Sequence, residues 1–128
     1  MIAVVGLSPR PQRPSHRVAS ALQRYGYKII PVRPAVSEVL GERAYASLRE
    51  LPMKPDLVDV FRAPEYVSAI VDDCIALGIP ALWLQEGVVD EAAALRAQAA
   101  GIEVVMNRCM YRDYVGFFNG APLSSLAD

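Results

Sequence analysis

Short apolar runs alternate with stretches of helical periodicity along this chain, and glycine or proline closes most of them. That alternation restricts the fold more than any other feature. Ile2 to Val5 is continuously apolar, as a strand covered on both faces must be. Ser15 is the expected N-cap of a helix whose apolar face is Val18, Leu22 and Tyr25, with Gly26 after its last turn. Lys28 to Val32 reads as a second strand, and Pro31 within it suits a position that needs no N–H. Asp56 to Phe61 is a third strand. Pro64 belongs in the first turn of the next helix, where Val67, Ile70, Val71, Cys74 and Ile75 recur at helical spacing before Gly78. Ala81 to Leu84 is a fourth strand. Asp90 then caps an alanine-rich helix with Leu95 and Ala99 inward, Gly101 closes it, and Ile102 to Met106 is a fifth strand.

Strand and helix alternating in this way require a parallel sheet with right-handed crossovers. The expected fold is therefore α/β, a Rossmann-like doubly wound sheet of about five parallel strands with helices on both faces. Residues 34–55 interrupt the pattern as an irregular crossover, with one short helix around Tyr45 to Arg49. Beyond Cys109 the pattern fades into a divergent tail, 110–128. There Tyr111, Tyr114, Phe117 and Phe118 suit a last helix packed on the sheet, or a contact in a homodimer. The 128 residues show no repeat and read as a single domain, 1–128.

Composition bounds the function. No apolar run approaches the roughly 20 residues of a membrane span. The first residues lack a basic signal-peptide region and read directly as strand, so a cytoplasmic protein is expected. Cys74 and Cys109 are too few and too far apart for a disulfide framework or a zinc site. The net charge is −1, yet residues 1–34 carry six of the 13 basic groups and no Asp or Glu. This asymmetry points to an anionic ligand for the first strand–helix–strand unit. Nucleic acid is a poor candidate, because the pI is about 5.8 and no aromatic–basic interleaving appears.

In open parallel sheets, ligands lie outside the carboxyl ends of the strands, near the point where strand order reverses. That edge gathers Gly6, Leu7, Ser8, Pro9 and Arg10 after the first strand, and Arg33 and Pro34 after the second. Phe61 and Arg62 follow the third, and Gln85, Glu86 and Gly87 the fourth. Gly6 lacks the Cβ that would keep a ligand from the backbone. The helix starting at Ser15 and His16 offers free N–H groups and a positive dipole end to a phosphate. Between them, Pro9, Pro11 and Pro14 stiffen a loop longer than the glycine-rich dinucleotide turn, which should make a wider cradle. Arg33 stands where NAD-binding domains place an acid for the ribose hydroxyls, so the ligand's ribose is expected to carry phosphate. Coenzyme A and NADP both qualify. A surface arginine at a strand end remains the plain alternative.

The ordered series Val4-Val5-Gly6-Leu7-Ser8, Arg13-Pro14-Ser15-His16, Gly26-Tyr27-Lys28-Ile29-Ile30-Pro31-Val32, Gly41-Glu42 and Val58-Asp59-Val60-Phe61-Arg62 resembles the small bacterial and archaeal CoA-binding proteins. Trp83-Leu84-Gln85-Glu86-Gly87-Val88 and Arg108-Cys109 extend the likeness over roughly residues 2–110. That family is similar to the N-terminal CoA-binding domain of the succinyl-CoA synthetase α subunit and of ADP-forming acyl-CoA synthetases. The resemblance implies CoA or an acyl-CoA across the strand ends, its phosphates near Gly6–Arg10 and the first helix. Its adenosine would lie near Arg33-Pro34 and Phe61-Arg62, and its pantetheine would face Gln85–Gly87. Two positions depart from the family pattern: Arg33 replaces the usual Asn, and Asn107-Arg108-Cys109 replaces Asp-Arg-Cys.

Catalysis has thin support. His16 is the only histidine, has no carboxylate paired with it in sequence, and suits a phosphate contact better than a base. The expected function is CoA binding without independent catalysis. The alternatives are an NADP-dependent oxidoreductase, weakened by the missing glycine fingerprint, and a CoA-responsive subunit docking on a partner protein.

Overall fold

A computed structural model of the chain describes residues 1–123. Five parallel strands form its centre: β1 (Ile2–Val5), β2 (Ile29–Val32), β5 (Leu57–Val60), β6 (Ala81–Leu84) and β7 (Glu103–Met106). Their spatial order is β2-β1-β5-β6-β7, so the direction of winding reverses between β1 and β5. Helices α1 (Pro14–Tyr25) and α4 (Met110–Phe118) cover one face. Helices α2 (Val67–Leu77) and α3 (Glu91–Ala99) cover the other. The doubly wound sheet expected from the alternation is the one that forms.

The pleat divides the core into two layers. Ala3, Val5, Val58, Val60, Leu82 and Leu84 face α2 and α3, while Ile2, Val4, Ile29 and Trp83 face α1 and α4. A buried Leu or Ile in either layer contributes on the order of 1.5–3 kcal/mol by leaving water. β2 is an edge strand, which is why Pro31 is tolerated. Beyond it, Tyr45 accepts from the Arg33 N–H and donates to the Pro31 carbonyl, covering the open edge.

Several local expectations fail for identifiable reasons. Ser15 is not the N-cap: Arg13 holds that position with extended backbone and no side-chain cap, and Pro14 opens the helix. Ser15 is instead buried in the first turn. Pro64 starts a separate 3₁₀ turn, Pro64–Tyr66, ahead of α2. Ile75 and Leu95 are exposed, as is Ala99. In α3 the inward face is Ala93, Ala94 and Ala97, small residues that let the helix lie close to the sheet. The irregular crossover contains a two-stranded hairpin, β3 (Glu38–Val39) with β4 (Glu42–Arg43), that periodicity could not reveal in pairs so short. Its helical turn falls at Leu48–Glu50, and Tyr45 bridges β2 instead. The aromatic tail does form a helix on the sheet. Tyr114 is buried and stacks on Tyr25 at 4.3 Å between ring centroids, while Phe117 is 78% exposed. The end of the tail, 124–128, lies outside the described residues.

Candidate functional site

At the switch point the loop after β1 is held from three sides. The Gly6 N–H donates to the Val32 carbonyl at 2.9 Å, and the Phe61 N–H donates to Val5 at 2.9 Å. The Ser8 N–H donates to Ser15 Oγ at 3.0 Å, and the Arg10 N–H to Ser8 Oγ at 3.1 Å. Ser15 thus acts by pinning the loop to the helix start. Gly6 has φ +85°, and a Cβ there would lie 2.4 Å from the Phe61 carbonyl oxygen. The chain's own β5 turn thus already requires a glycine here, beside the ligand approach that the sequence suggested.

Above these strand ends opens a cleft of about 1690 Å³. This exceeds the roughly 300–1,000 Å³ of ordinary small-molecule pockets. Of the expected residues, Gly6, Ser8, Pro9, Arg10, Ser15, His16, Arg33, Pro34, Phe61 and Gln85 line it together. Leu7, Arg62 and Gly87 do not. Leu7 is wholly buried in the layer beneath α1. The Arg62 guanidinium sits 4.0 Å from the centre of the Tyr66 ring. The Gly87 N–H donates to Asn107 Oδ1 at 2.8 Å.

Arg33 projects over the opening loop, with Nη1 3.4 Å from the Gly6 carbonyl oxygen. By position, the N–H groups of Ser15 and His16 have no intrahelical acceptor. No acid occupies the first turn of α1, so its positive end is uncompensated. The cleft's cationic side chains are Arg10, Arg13, Arg17, Arg24, Arg33 and Arg112, against the single acid Glu86. Among the described residues only Arg112 of these six has an ion pair, with Glu86 at 2.6 Å. That carboxylate beside it raises the Arg112 pKa further.

The second wall comes from the tail. Gln85 is buried, and its Oε1 accepts from the Met110 N–H at 3.2 Å, fixing the start of α4. Trp83 Nε1 donates to the Arg108 carbonyl at 2.8 Å. Arg108 in turn pairs bidentately with Asp113, which holds that carboxyl below its usual range. These ties bring Cys109, Tyr111, Arg112 and Val115 to the cleft. None of the four was in the expected site, and neither were Arg13, Arg17 and Arg24. The three arginines had a usable signal: spacings of four and seven residues place them on one face of a helix. The tail residues had none without the long-range contacts that seat α4.

One buried group lies outside this machinery. Asp59, central in β5 between Val4 and Trp83, is wholly buried, and neither carboxyl oxygen has a hydrogen-bond partner among the described residues. Burial pushes its pKa well above the usual carboxylate range. The neighbouring Val60 amide pulls weakly the other way without reaching hydrogen-bond geometry to the carboxyl.

Comparison with known proteins bears on this geometry. A family described as "CoA binding domain" matches residues 1–114. The Bacillus subtilis protein YneT is 42% identical over 109 residues, covering 85% of this chain and 81% of YneT. A solved structure from Thermus thermophilus, cell-free ID.343, is 36% identical with a TM-score of 0.87, covering 91% of this chain and 89% of that one. The α subunit of the ADP-forming acetate–CoA ligase II of Pyrococcus furiosus is 33% identical over 79 residues. That match takes in 61% of this chain and only 17% of the ligase subunit. Among the described residues no helix is long and apolar enough to cross a membrane.

Proposed function

Because the chain belongs to the CoA binding domain family, we propose that its cleft binds coenzyme A or an acyl-CoA and that it performs no chemistry on its own. The observation that carries this reading is the unpaired arginine set around the start of α1. CoA brings roughly four negative charges at neutral pH, about two of them on the 3′-phosphate. Arg10 and Arg13, with the Ser15 and His16 N–H groups, form the side suited to the diphosphate. Arg33, across the opening loop, is the partner suited to the ribose 3′-phosphate. Pantetheine would then run toward Gln85 and Cys109. Arg62 rests on the Tyr66 ring, with its Cδ beside Gly6, and would have to leave that ring to reach the adenosine end.

Isothermal titration of the full chain against CoA, NADP and NAD tests the reading. CoA should bind, NADP weakly through its shared ribose phosphate, and NAD least. Binding of NADP with none for CoA would overturn it.

A further inference from the structure

The cleft does not end where the strands end. Arg13, Arg17, Ser20 and Arg24 all line it, and their spacing makes one stripe along α1. Opposite them, Tyr111 and Val115, one turn apart on α4, line the same cleft. The Tyr111 ring centre lies 6.2 Å from that of Tyr25, the neighbour of Arg24. The cleft therefore has an arm between α1 and α4, with arginines on one wall and partly exposed apolar side chains on the other.

Arg24 Nη1 donates to Ser20 Oγ at 3.0 Å, which holds the guanidinium beside Ser20. Ser20 lies roughly 9 Å along the helix from Pro14, at a rise of about 1.5 Å per residue. An anion seated on the N–H groups of the helix start is out of hydrogen-bond reach from there. An anion bound by Arg24 would thus be a different group, one reached along the wall that Tyr111 and Val115 line. Cys109 and Gln85, at the end of the cleft suited to the thiol, line the same continuous cleft.

We infer that the α1–α4 arm is an acyl-group subsite that favours short acyl chains ending in a carboxylate, the chain lying on Tyr111 and Val115 and the carboxylate on Arg24. This rests on the coenzyme A reading, and it adds what the thioester carries. Charge complementarity names the occupant: a plain alkyl group would leave Arg24 unpaired, and a bare phosphate would gain nothing from the tyrosine and valine wall.

Titration calorimetry on the full chain with CoA, dephospho-CoA, pentanoyl-CoA and glutaryl-CoA tests it, the two esters having acyl chains of equal length. Glutaryl-CoA should bind tighter than pentanoyl-CoA by a factor of roughly three to ten, as expected of a partly exposed charge-assisted contact. Arg24→Gln should abolish that preference and leave CoA unchanged. Val115→Asp, at an exposed position of α4, should weaken both esters and spare CoA. Equal affinity of the two esters for the wild type overturns the subsite and leaves the CoA reading standing. Arg24→Gln weakening CoA but not dephospho-CoA would assign Arg24 to the 3′-phosphate and overturn it as well. Failure of CoA itself to bind would instead strike the underlying reading.

Discussion

Replacing Asp59 with Asn should change how the protein's stability depends on pH, and the change can be worked from the structure. The carboxyl is fully buried in β5 with no hydrogen-bond partner among the described residues, and burial raises its pKa well above the ordinary value. The unfolded chain releases the Asp59 proton near pH ~3.9. Between that value and the higher folded one, the native state holds one proton more than the unfolded state. Stability from this group is complete below the ordinary value and is lost as the pH rises to the folded one. The loss is about 1.4 kcal/mol per pH unit. Asn has the same shape and does not titrate, so the stability of Asp59→Asn relative to wild type should climb at that slope.

Urea denaturation of both proteins, every half unit from about pH 5 to about pH 8, measures the difference directly. The remaining groups titrate in both and cancel; they include Asp56, lowered by the N-terminal ammonium, and Asp113, lowered by Arg108. A buried amide without partners adds a cost that does not vary with pH, a constant offset that leaves the slope intact. Asp59→Leu separates the two effects, since removing the unpaired polar group should add roughly 1–3 kcal/mol at neutral pH. Parallel wild-type and Asn curves across the range would refute the reasoning: the carboxyl would then be ionised and solvated in the native protein.

Three further outcomes follow from the cleft. Gly6→Ala should destabilise by roughly 2 kcal/mol or more in chemical denaturation, because it sets a Cβ against the Phe61 carbonyl at left-handed φ; an unchanged midpoint would show that the β5 turn relaxes freely. A chromogenic thiol reagent should titrate Cys109 in the native protein and Cys74 only in denaturant, since Cys74 is buried with its thiol pushed up to about 12. Saturating pentanoyl-CoA, a thioester with no free thiol to consume the reagent, should slow the first reaction, and rapid release of two equivalents from the native chain would contradict this. Arg33→Ala should weaken CoA by roughly 1–3 kcal/mol and leave dephospho-CoA unaffected; equal losses for both would remove Arg33 from the 3′-phosphate.

The sheet was legible because the inner strands of a parallel sheet are covered on both faces, and Ile2–Val5 or Ala81–Leu84 can then be read as uninterrupted apolar runs. Helix faces were legible where large residues carried them, as Val18 and Leu22 do. In α3 alanines do that work, and an exposed leucine at position 95 misled the reading. Gly6 shows a different limit. A glycine at positive φ announces a close approach, but nothing local says whether a ligand or the chain itself arrives there. The approach of the chain itself comes from the 61st residue, brought alongside by the parallel pairing of β1 with β5.

The cleft was half legible for the same reason. Its first wall is local: one loop and one helix, both within the acid-free opening segment, so strand ends and charge pointed to it even though Arg13, Arg17 and Arg24 were not singled out. Its second wall is built by residues more than eighty positions later, seated by Gln85 on Met110 and by Glu86 on Arg112. These two contacts link the loop after β6 to α4, so the loop facing the thiol end and the wall of the acyl arm are one structural unit. Breaking the exposed pair with Glu86→Gln should then cost little stability, within about 1 kcal/mol, while freeing Arg112 to compete with Arg24 for a carboxylate in the arm. Glutaryl-CoA affinity should rise and its dependence on Arg24 should fall, as read by titrating Glu86→Gln with and without Arg24→Gln. An unchanged affinity in Glu86→Gln would show that Arg112 points out of the arm and that Arg24 acts there alone.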